Sequence, residues 1–210
     1  MLCDFDGTIT EEDVCLRLLA EFAEGDWQQL ETDYANGRIG LEECLAAEVA
    51  MFKAPREVMA DFARQHARLR RGFADFVAYC RGREVALAVV SAGLDFYVDA
   101  ILAREGLNDL DVTCIGTTVN GGRIVLSLPL GGRATREGYA DFKVAMVRER
   151  QAQGKRVVFV GDGSTDFAAA RRADRVFARD KLLAYCRREG IACTPFEDFR
   201  DLRLELERLL

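Results

Sequence analysis

The chain opens with Met1-Leu2-Cys3-Asp4-Phe5-Asp6-Gly7-Thr8-Ile9-Thr10, a short apolar run that leads into two acids and a glycine. If residues 1–3 end a parallel strand, both acids lie just beyond its carboxyl end, where open α/β sheets bind ligands. Asp4 and Asp6 are two residues apart, so in an extended segment their side chains face the same space. Two carboxylates this close repel each other unless a cation or a shared proton compensates them, which makes a divalent metal the natural partner. A bare pair of acids is more often a solvated turn, so the rest of the chain must decide.

The complete string at residues 4–10, Asp-Phe-Asp-Gly-Thr-Ile-Thr, is far more specific than two acids. It resembles the first motif of the haloacid dehalogenase superfamily. The resemblance implies that Asp4 is a nucleophile and that Asp6 is a general acid/base. A member of this superfamily also carries three further motifs, so the later part of the chain must contain segments that resemble them.

The composition is that of a compact protein. Half of the 210 residues are hydrophobic, three are proline, and the net charge is −6. This length suits one domain with an insertion. The negative charge argues against nucleic acid as a partner. No apolar run approaches the roughly 18 residues of a membrane span, so we expect no membrane partner either.

The cysteine and histidine content narrows the chemistry. Seven scattered cysteines include no Cys-x-x-Cys pair, which predicts reduced thiols and a cytoplasmic location. His66 is the only histidine, which excludes Ser-His-Asp hydrolysis, histidine phosphatases and most zinc enzymes. No cysteine is followed six residues later by arginine, so a thiolate phosphatase loop is absent. Carboxylate and lysine chemistry remain.

The segment after the first motif has helical periodicity and no strand signal until after residue 71. We predict about four short helices that form an inserted cap at residues 12–71, between the two parts of a catalytic core at residues 1–11 and 72–210. A plain helical layer on the sheet is the alternative. The basic residues between Arg64 and Arg71 are expected to be solvated, and the alternative is that one of these arginines reaches an anionic substrate tail. Asp13 is either an acid at a helix N-terminus or a cap residue that contacts substrate, as a glutamate near this position does in the phosphoserine phosphatases that the chain also resembles.

A second strand signal ends in a hydroxyl residue. Val85–Val90 is a continuous apolar run, typical of a strand covered on both faces, and Ser91-Ala92-Gly93 follows it. A serine here is placed either to bind a phosphoryl oxygen or to cap the next helix. The segment resembles the second superfamily motif, which implies that Ser91 and Ala92 bind phosphate.

A hairpin and a helix come next. Residues 112–115 and 124–128 are predicted strands around a glycine-rich turn, and residues 131–133, Gly-Gly-Arg, form a loop. Residues 139–150 are predicted to be helical and contain Lys143. A lysine is usually a solvated surface charge. Its position between the second and fourth motifs resembles the third motif, which implies that Lys143 neutralises the nucleophile and the phosphate.

The opening pattern then recurs. The apolar run Val157–Val160 leads into Gly161-Asp162-Gly163-Ser164-Thr165-Asp166. A helix cap with coincidental acids explains one such turn, but not its recurrence at two strand ends. The segment resembles the fourth motif, which implies that Asp162 is a metal ligand. Asp166 is either a second ligand or a residue that orients the ligands without binding the metal.

Strands that alternate with helices predict an α/β protein with a Rossmann-like, three-layer parallel sheet core and an inserted helical cap domain. The motifs together supply what phosphoryl transfer requires. All-oxygen ligands favour Mg²⁺. The resemblance implies that Asp4, Asp162 and the main-chain carbonyl of Asp6 hold the metal, and that a small phosphomonoester is hydrolysed through an aspartyl-phosphate.

Within the superfamily, the phosphoserine phosphatase-like branch fits best. Residues 173–180 and 194–199 resemble the enolphosphate phosphatases of methionine salvage, although residues 131–133 replace a loop bearing cysteine and histidine. Three activities stay open: hydrolysis of a methionine-salvage enolphosphate, hydrolysis of phosphoserine, and phosphate transfer to a second alcohol by a phosphotransferase or mutase. We expect a monomer or a homodimer.

Overall fold

A computed structural model describes residues 1–129 and 141–208. In chain order the elements are β1 (Leu2–Cys3), α1 (Val14–Phe22), α2 (Trp27–Ala35), α3 (Leu41–Met51), α4 (Arg56–His66), α5 (Phe73–Gly82), β2 (Ala88–Leu94), α6 (Asp95–Arg104), β3 (Asp111–Asn120), β4 (Arg123–Ser127), α7 (Asp141–Ala152), β5 (Val158–Gly161), α8 (Phe167–Ala170), β6 (Arg175–Ala178), α9 (Asp180–Glu189), β7 (Cys193–Pro195) and α10 (Phe199–Glu207).

The strands form one sheet in the order β4-β3-β2-β1-β5-β6-β7. The short strand β1 lies at the centre and pairs in parallel with β2 on one side and β5 on the other. The chain adds β2 and β3 on one side of β1 and β5 to β7 on the other. This reversal of direction opens a crevice at the carboxyl end of β1, which is where such sheets bind ligands.

Alternating side chains divide the core between the two faces of the sheet. Leu2 and Phe159 pack with residues of α7 and α8, whereas Cys3 and Val160 pack with residues of α5 and α10. Because helices cover both faces, the central strands are apolar on both sides. The sheet and its two helical layers therefore match the predicted three-layer α/β core.

One edge of the sheet departs from parallel pairing. Strands β3 and β4 form the predicted hairpin. Because the strands of a hairpin pair antiparallel, the sheet is not parallel throughout. Their turn contains Gly121 and Gly122, with φ angles of 57° and 76°. Two successive positive φ angles are what a two-residue hairpin turn requires, which explains the glycine pair.

Strand β2 is displaced from its predicted position. It begins at Ala88 rather than Val85 and continues past Val90 to Leu94. Its pairing with β3 is irregular between Val90 and Leu94, where Leu94 pairs with Ile115. Ser91 therefore lies inside a distorted strand, and because α6 begins at Asp95, Ser91 is not the cap of that helix.

The four helices α1 to α4 lie between β1 and α5, and two chain segments connect them to the sheet. These connections run side by side: Thr10 pairs with Leu69, and the Arg70 amide donates to the carbonyl of Ile9 at 2.7 Å. The division into a cap and a core stays a prediction.

The loop at residues 131–133 and the start of the predicted helix at residues 139–140 lie outside the described residues. Within the described ranges, no helix is both long enough and apolar enough to cross a membrane.

Candidate active site

The loop after β1 places buried Asp4 and half-buried Asp6 at the centre of the crevice. The Asp4 amide donates to the carbonyl of Val160 at 2.9 Å, which extends the pairing of β1 by one residue. Gly7 has a φ of 71°, and a Cβ atom on it would lie 2.5 Å from Oδ2 of Asp162. A glycine is therefore required here both for the turn and for the close approach of Asp162.

Asp6 is held by two hydrogen bonds. The Tyr97 hydroxyl donates to Oδ2 at 2.7 Å, and the Val14 amide donates to Oδ1 at 3.0 Å. Burial, followed by the negative charge of Asp13, raises the pKa of Asp6 to about 8, although both hydrogen bonds act in the opposite direction. With both side-chain oxygens engaged, the carboxyl is fixed in place beside Asp4.

Lys143 is completely buried behind Asp4. Its Nζ donates to Oδ1 of Asp4 and to Oδ1 of Asp166, each at 2.7 Å, and to Oγ1 of Thr165 at 3.3 Å. Burial alone would lower the pKa of Lys143, but Asp166 and Asp4 outweigh burial and raise it. The structure therefore excludes a solvated surface lysine at this position and places its charge against the predicted nucleophile.

The loop after β5 orients Asp162 toward Asp4. Asp166 accepts the amides of Asp162 and Gly163 on Oδ2, at 3.0 and 3.1 Å, while its other oxygen accepts from Lys143. The Thr8 hydroxyl donates to Oδ1 of Asp162 at 2.7 Å. Burial is the largest of the effects that raise the pKa of Asp162 to about 6. Asp166 thus shapes the loop and links it to the lysine.

These carboxylates suit a divalent cation with a preference for oxygen. Asp4, Asp162 and Asp166 each offer an oxygen within 4.8 Å of the others. Both oxygens of Asp166 already accept hydrogen bonds, which leaves Asp4 and Asp162 as the side chains to hold a cation. Burial and the charge of Asp166 raise the pKa of Asp4 well above its ordinary value. A bound cation would offset the free-energy cost of keeping these neighbouring carboxyl groups ionised. Carboxylate oxygens are also ligands that Mg²⁺ prefers.

The remaining predicted residues also reach this crevice. Ser91 is buried, and its Oγ accepts the Gly93 amide at 2.9 Å. Asp13 caps the N-terminus of α1 and accepts the Leu16 amide at 3.0 Å, so the helix-end interpretation of Asp13 is confirmed. Whether Asp13 also contacts substrate stays a prediction.

A cavity of about 250 Å³ joins the loops to the helices α1 to α3. The predicted residues that line it are Asp4, Asp6, Asp13, Ser91, Ala92 and Asp162. Lys143 and Asp166 lie directly behind this wall, in contact with Asp4 and with each other. The fold therefore gathers all the predicted site residues around one cavity.

The sequence profile of haloacid dehalogenase-like hydrolases matches residues 1–171, most of the chain. The chain belongs to this family. A 2-hydroxy-3-keto-5-methylthiopentenyl-1-phosphate phosphatase from Exiguobacterium sibiricum is 34% identical over 205 residues, which cover 96% of this chain and 93% of that protein. The enzyme of the same name from Geobacillus kaustophilus is also 34% identical and covers 100% of this chain and 96% of its own.

A solved phosphoserine phosphatase, described as an analogue of its phospho-aspartyl intermediate, has a TM-score of 0.70 to this structure. It is 21% identical and the match covers 97% of this chain and 96% of the other, so it bears on the fold alone. The predictions of a haloacid dehalogenase family member, of an α/β Rossmann-like core and of a phosphoric monoester hydrolase are confirmed by these matches.

Sequence reasoning missed one buried residue that supports the first motif of this haloacid dehalogenase-like hydrolase. The basic cluster predicts that Arg70 is solvated. In the structure, α4 ends at His66, so Arg70 lies beyond the helix, and its side chain is buried. Its guanidinium donates to the carbonyls of Gly7, Thr8, Thr10 and Glu11, at 2.7, 2.8, 3.0 and 3.3 Å. Arg70 therefore fixes the backbone that follows Asp6. A basic cluster in the sequence gives no sign of which arginine is buried.

Tyr97 was also missed, and it leads to a prediction. Tyr97→Phe removes the hydroxyl that orients Asp6, so we expect kcat to fall about tenfold while KM changes little. The reason is that an acid/base group works only within hydrogen-bond reach of the reacting oxygen. Steady-state kinetics measure the split between kcat and KM.

Tyr79→Phe is the matched control, because the buried Tyr79 hydroxyl has no hydrogen-bond partner within the described residues. We expect this variant to keep wild-type kinetics. Equal losses in both variants, or a rise in KM alone for Tyr97→Phe, would contradict the positioning role.

Proposed function

We propose that this chain is a Mg²⁺-dependent phosphatase that hydrolyses a small phosphomonoester through an aspartyl-phosphate. The observation that carries the proposal is the pairing of two acids, buried Asp4 and half-buried Asp6, with different partners at one cavity. Asp4 contacts the cation Lys143 at 2.7 Å, while Asp6 contacts the neutral hydroxyl of Tyr97 at the same distance. Lys143 opposes the burial that raises the pKa of Asp4, and so it stabilises the ionised carboxylate that a nucleophile requires. The contact of Asp6 with Tyr97 suits a group that exchanges protons.

In the first step, a carboxylate oxygen of Asp4 bonds to phosphorus while the bond between phosphorus and the ester oxygen breaks. Asp6 donates its proton to that departing oxygen, so the alcohol leaves neutral. In the second step, Asp6 takes a proton from water as the water oxygen bonds to phosphorus, and the bond between phosphorus and the Asp4 oxygen breaks. Inorganic phosphate is released and Asp4 is regenerated.

Charge is the main demand of both steps, because the transferring group carries negative charge toward a carboxylate. Lys143 places one positive charge against Asp4. A bound Mg²⁺, held by Asp4, Asp162 and the main-chain carbonyl of Asp6, would supply the remaining electrostatic stabilisation. Ser91 and Ala92 line the wall beside Asp4 and are proposed to contact the phosphoryl oxygens.

For the substrate, we propose the methionine-salvage enolphosphate, with the reaction in the cytoplasm. The support is the shared name of the relatives that are 34% identical over nearly the whole chain. Phosphoserine and an acceptor alcohol remain the alternatives to test. The solved phosphoserine phosphatase does not favour phosphoserine, since at 21% identity it informs only on the fold.

The test is phosphate release from a panel containing the enolphosphate, phosphoserine and p-nitrophenyl phosphate, with Mg²⁺ or with EDTA. We expect Mg²⁺-dependent release, highest for the enolphosphate. Release that needs an added alcohol acceptor would identify a phosphotransferase instead. Equal release with EDTA would contradict the proposed metal.

Metal binding gives a separate prediction that does not depend on turnover. A cation that binds only the folded protein stabilises it by about 2.7 kcal/mol at about 100 times its Kd. We therefore expect Mg²⁺ to raise the Tm of the wild type, and Asp162→Asn to lose most of that rise, as measured by thermal unfolding. Asp61→Asn, an exposed acid on α4, is the control and should keep the full rise. An undiminished rise in Asp162→Asn would remove Asp162 from the metal site.

A further inference from the structure

One stripe of α3 faces the cavity that Asp4 also lines. Leu41, Leu45 and Glu48 all line it, and they are spaced four and three residues apart, so they lie on one face of the helix. The stripe is apolar at its first two positions and acidic at its third. A carboxyl group among leucines on a buried face is unusual and calls for a polar partner.

Glu48 has no such partner for one of its oxygens. Only 2% of the residue is exposed, and among residues 1–129 and 141–208 nothing donates a hydrogen bond to its Oε1. Glu31 on α2 lies next to it, and a carboxyl oxygen of each lies within 4.8 Å of the other and of the Cys44 sulfur. Burial, and then the charge of Glu31, raise the pKa of Glu48 to about 8. An unsatisfied buried acceptor costs free energy until a donor reaches it.

The wall of the cavity is predominantly acidic. Among the described residues, seven carboxyl groups line the cavity, and Lys181 is the only basic side chain that does. The other nearby cation, Lys143, is already committed to Asp4 and Asp166. A carboxylate on the substrate that reached Glu31 and Glu48 would face the negative charge of this pair, which is a costly juxtaposition.

We propose that Glu31 and Glu48 form a subsite that accepts hydrogen bonds from a substrate hydroxyl and excludes a tail that carries a carboxylate. This inference rests on the proposed function, which puts the phosphate at Asp4 and directs the rest of the substrate toward α3. Leu41 and Leu45 contact the apolar part of that tail. The substrates that this subsite accepts include a hydroxy-keto-methylthio phosphate ester such as the one in the relatives' name. Phosphoserine, which carries a carboxylate, is excluded.

Binding of two esters that differ at one carbon tests the subsite. Glycerol 3-phosphate ends in a hydroxymethyl group, and 3-phosphoglycerate carries a carboxylate at that carbon. Calorimetry in the Asp4→Asn protein with saturating Mg²⁺ measures both Kd values without turnover. We expect at least about tenfold tighter binding of glycerol 3-phosphate, because like charges across a binding site cost on the order of 1.4 kcal/mol or more.

Glu31→Gln combined with Glu48→Gln in this protein should narrow the preference to within about threefold, because the two acids share a negative charge that two glutamines of similar size do not carry. Glu42→Gln is the matched control, since Glu42 is exposed on the same helix, and it should leave the preference intact. An unchanged preference in the variant with both substitutions, or binding of neither ester, would overturn the subsite. Failure of the proposed function would appear elsewhere, as absence of phosphate release by the wild type.

Discussion

Asp4→Asn is expected to lower kcat by at least about 10³-fold, because an amide cannot replace the carboxylate that attacks phosphorus. Asparagine is nearly the same size as aspartate, and Lys143 keeps its ion pair with Asp166 at 2.7 Å, so the fold should survive. Phosphate release with Mg²⁺ measures the loss, and circular dichroism verifies the fold.

The intermediate gives a more direct readout of the same substitution. Acid quench during turnover, followed by mass spectrometry, should detect phosphate on the peptide containing Asp4 in the wild type and none in Asp4→Asn. Asp109→Asn, an exposed acid that pairs with Arg81, is the control and should behave as the wild type. Substantial turnover by Asp4→Asn, or phosphate on another residue, would refute the assignment of the nucleophile.

Lys143→Met is expected to lower the free energy of unfolding by about 3–5 kcal/mol and to abolish turnover. The substitution leaves Asp4 and Asp166 buried, close together and without their shared cation. Removing one partner from a buried ion pair is costly because the remaining charge has lost its compensation. Urea unfolding at neutral pH measures the change. Lys155→Met removes an exposed lysine and should change stability by less than about 0.5 kcal/mol.

A double variant separates the structural role of Lys143 from its catalytic role. Lys143→Met with Asp166→Asn removes one of the two buried charges. The asparagine oxygen can still accept the amides of Asp162 and Gly163, and its NH₂ group can face Asp4. We expect this variant to regain a large part of the lost stability but no turnover. Stability that does not recover, or activity that does, would contradict the division of roles.

The positions of Asp4, Ser91 and Asp162 could be predicted from local sequence. Each follows or ends an apolar run, and parallel strands joined by right-handed crossovers bring their carboxyl ends to one edge. Lys143 had no comparable local signal, because a lysine on a helix is usually solvated. Its assignment depended on the order of the four motifs, and the structure shows it buried between two acids.

The sequence by itself therefore determined the family, the α/β core and the residues at the strand ends, since these depend on periodicity and on motif order. Only the tertiary structure revealed the partners of those residues. Tyr97 reaches Asp6 across 91 positions of sequence, and Arg70 reaches the carbonyl of Gly7 across 63. Helical periodicity indicates which face of a helix is buried, but the partner of a buried polar group depends on how distant elements pack.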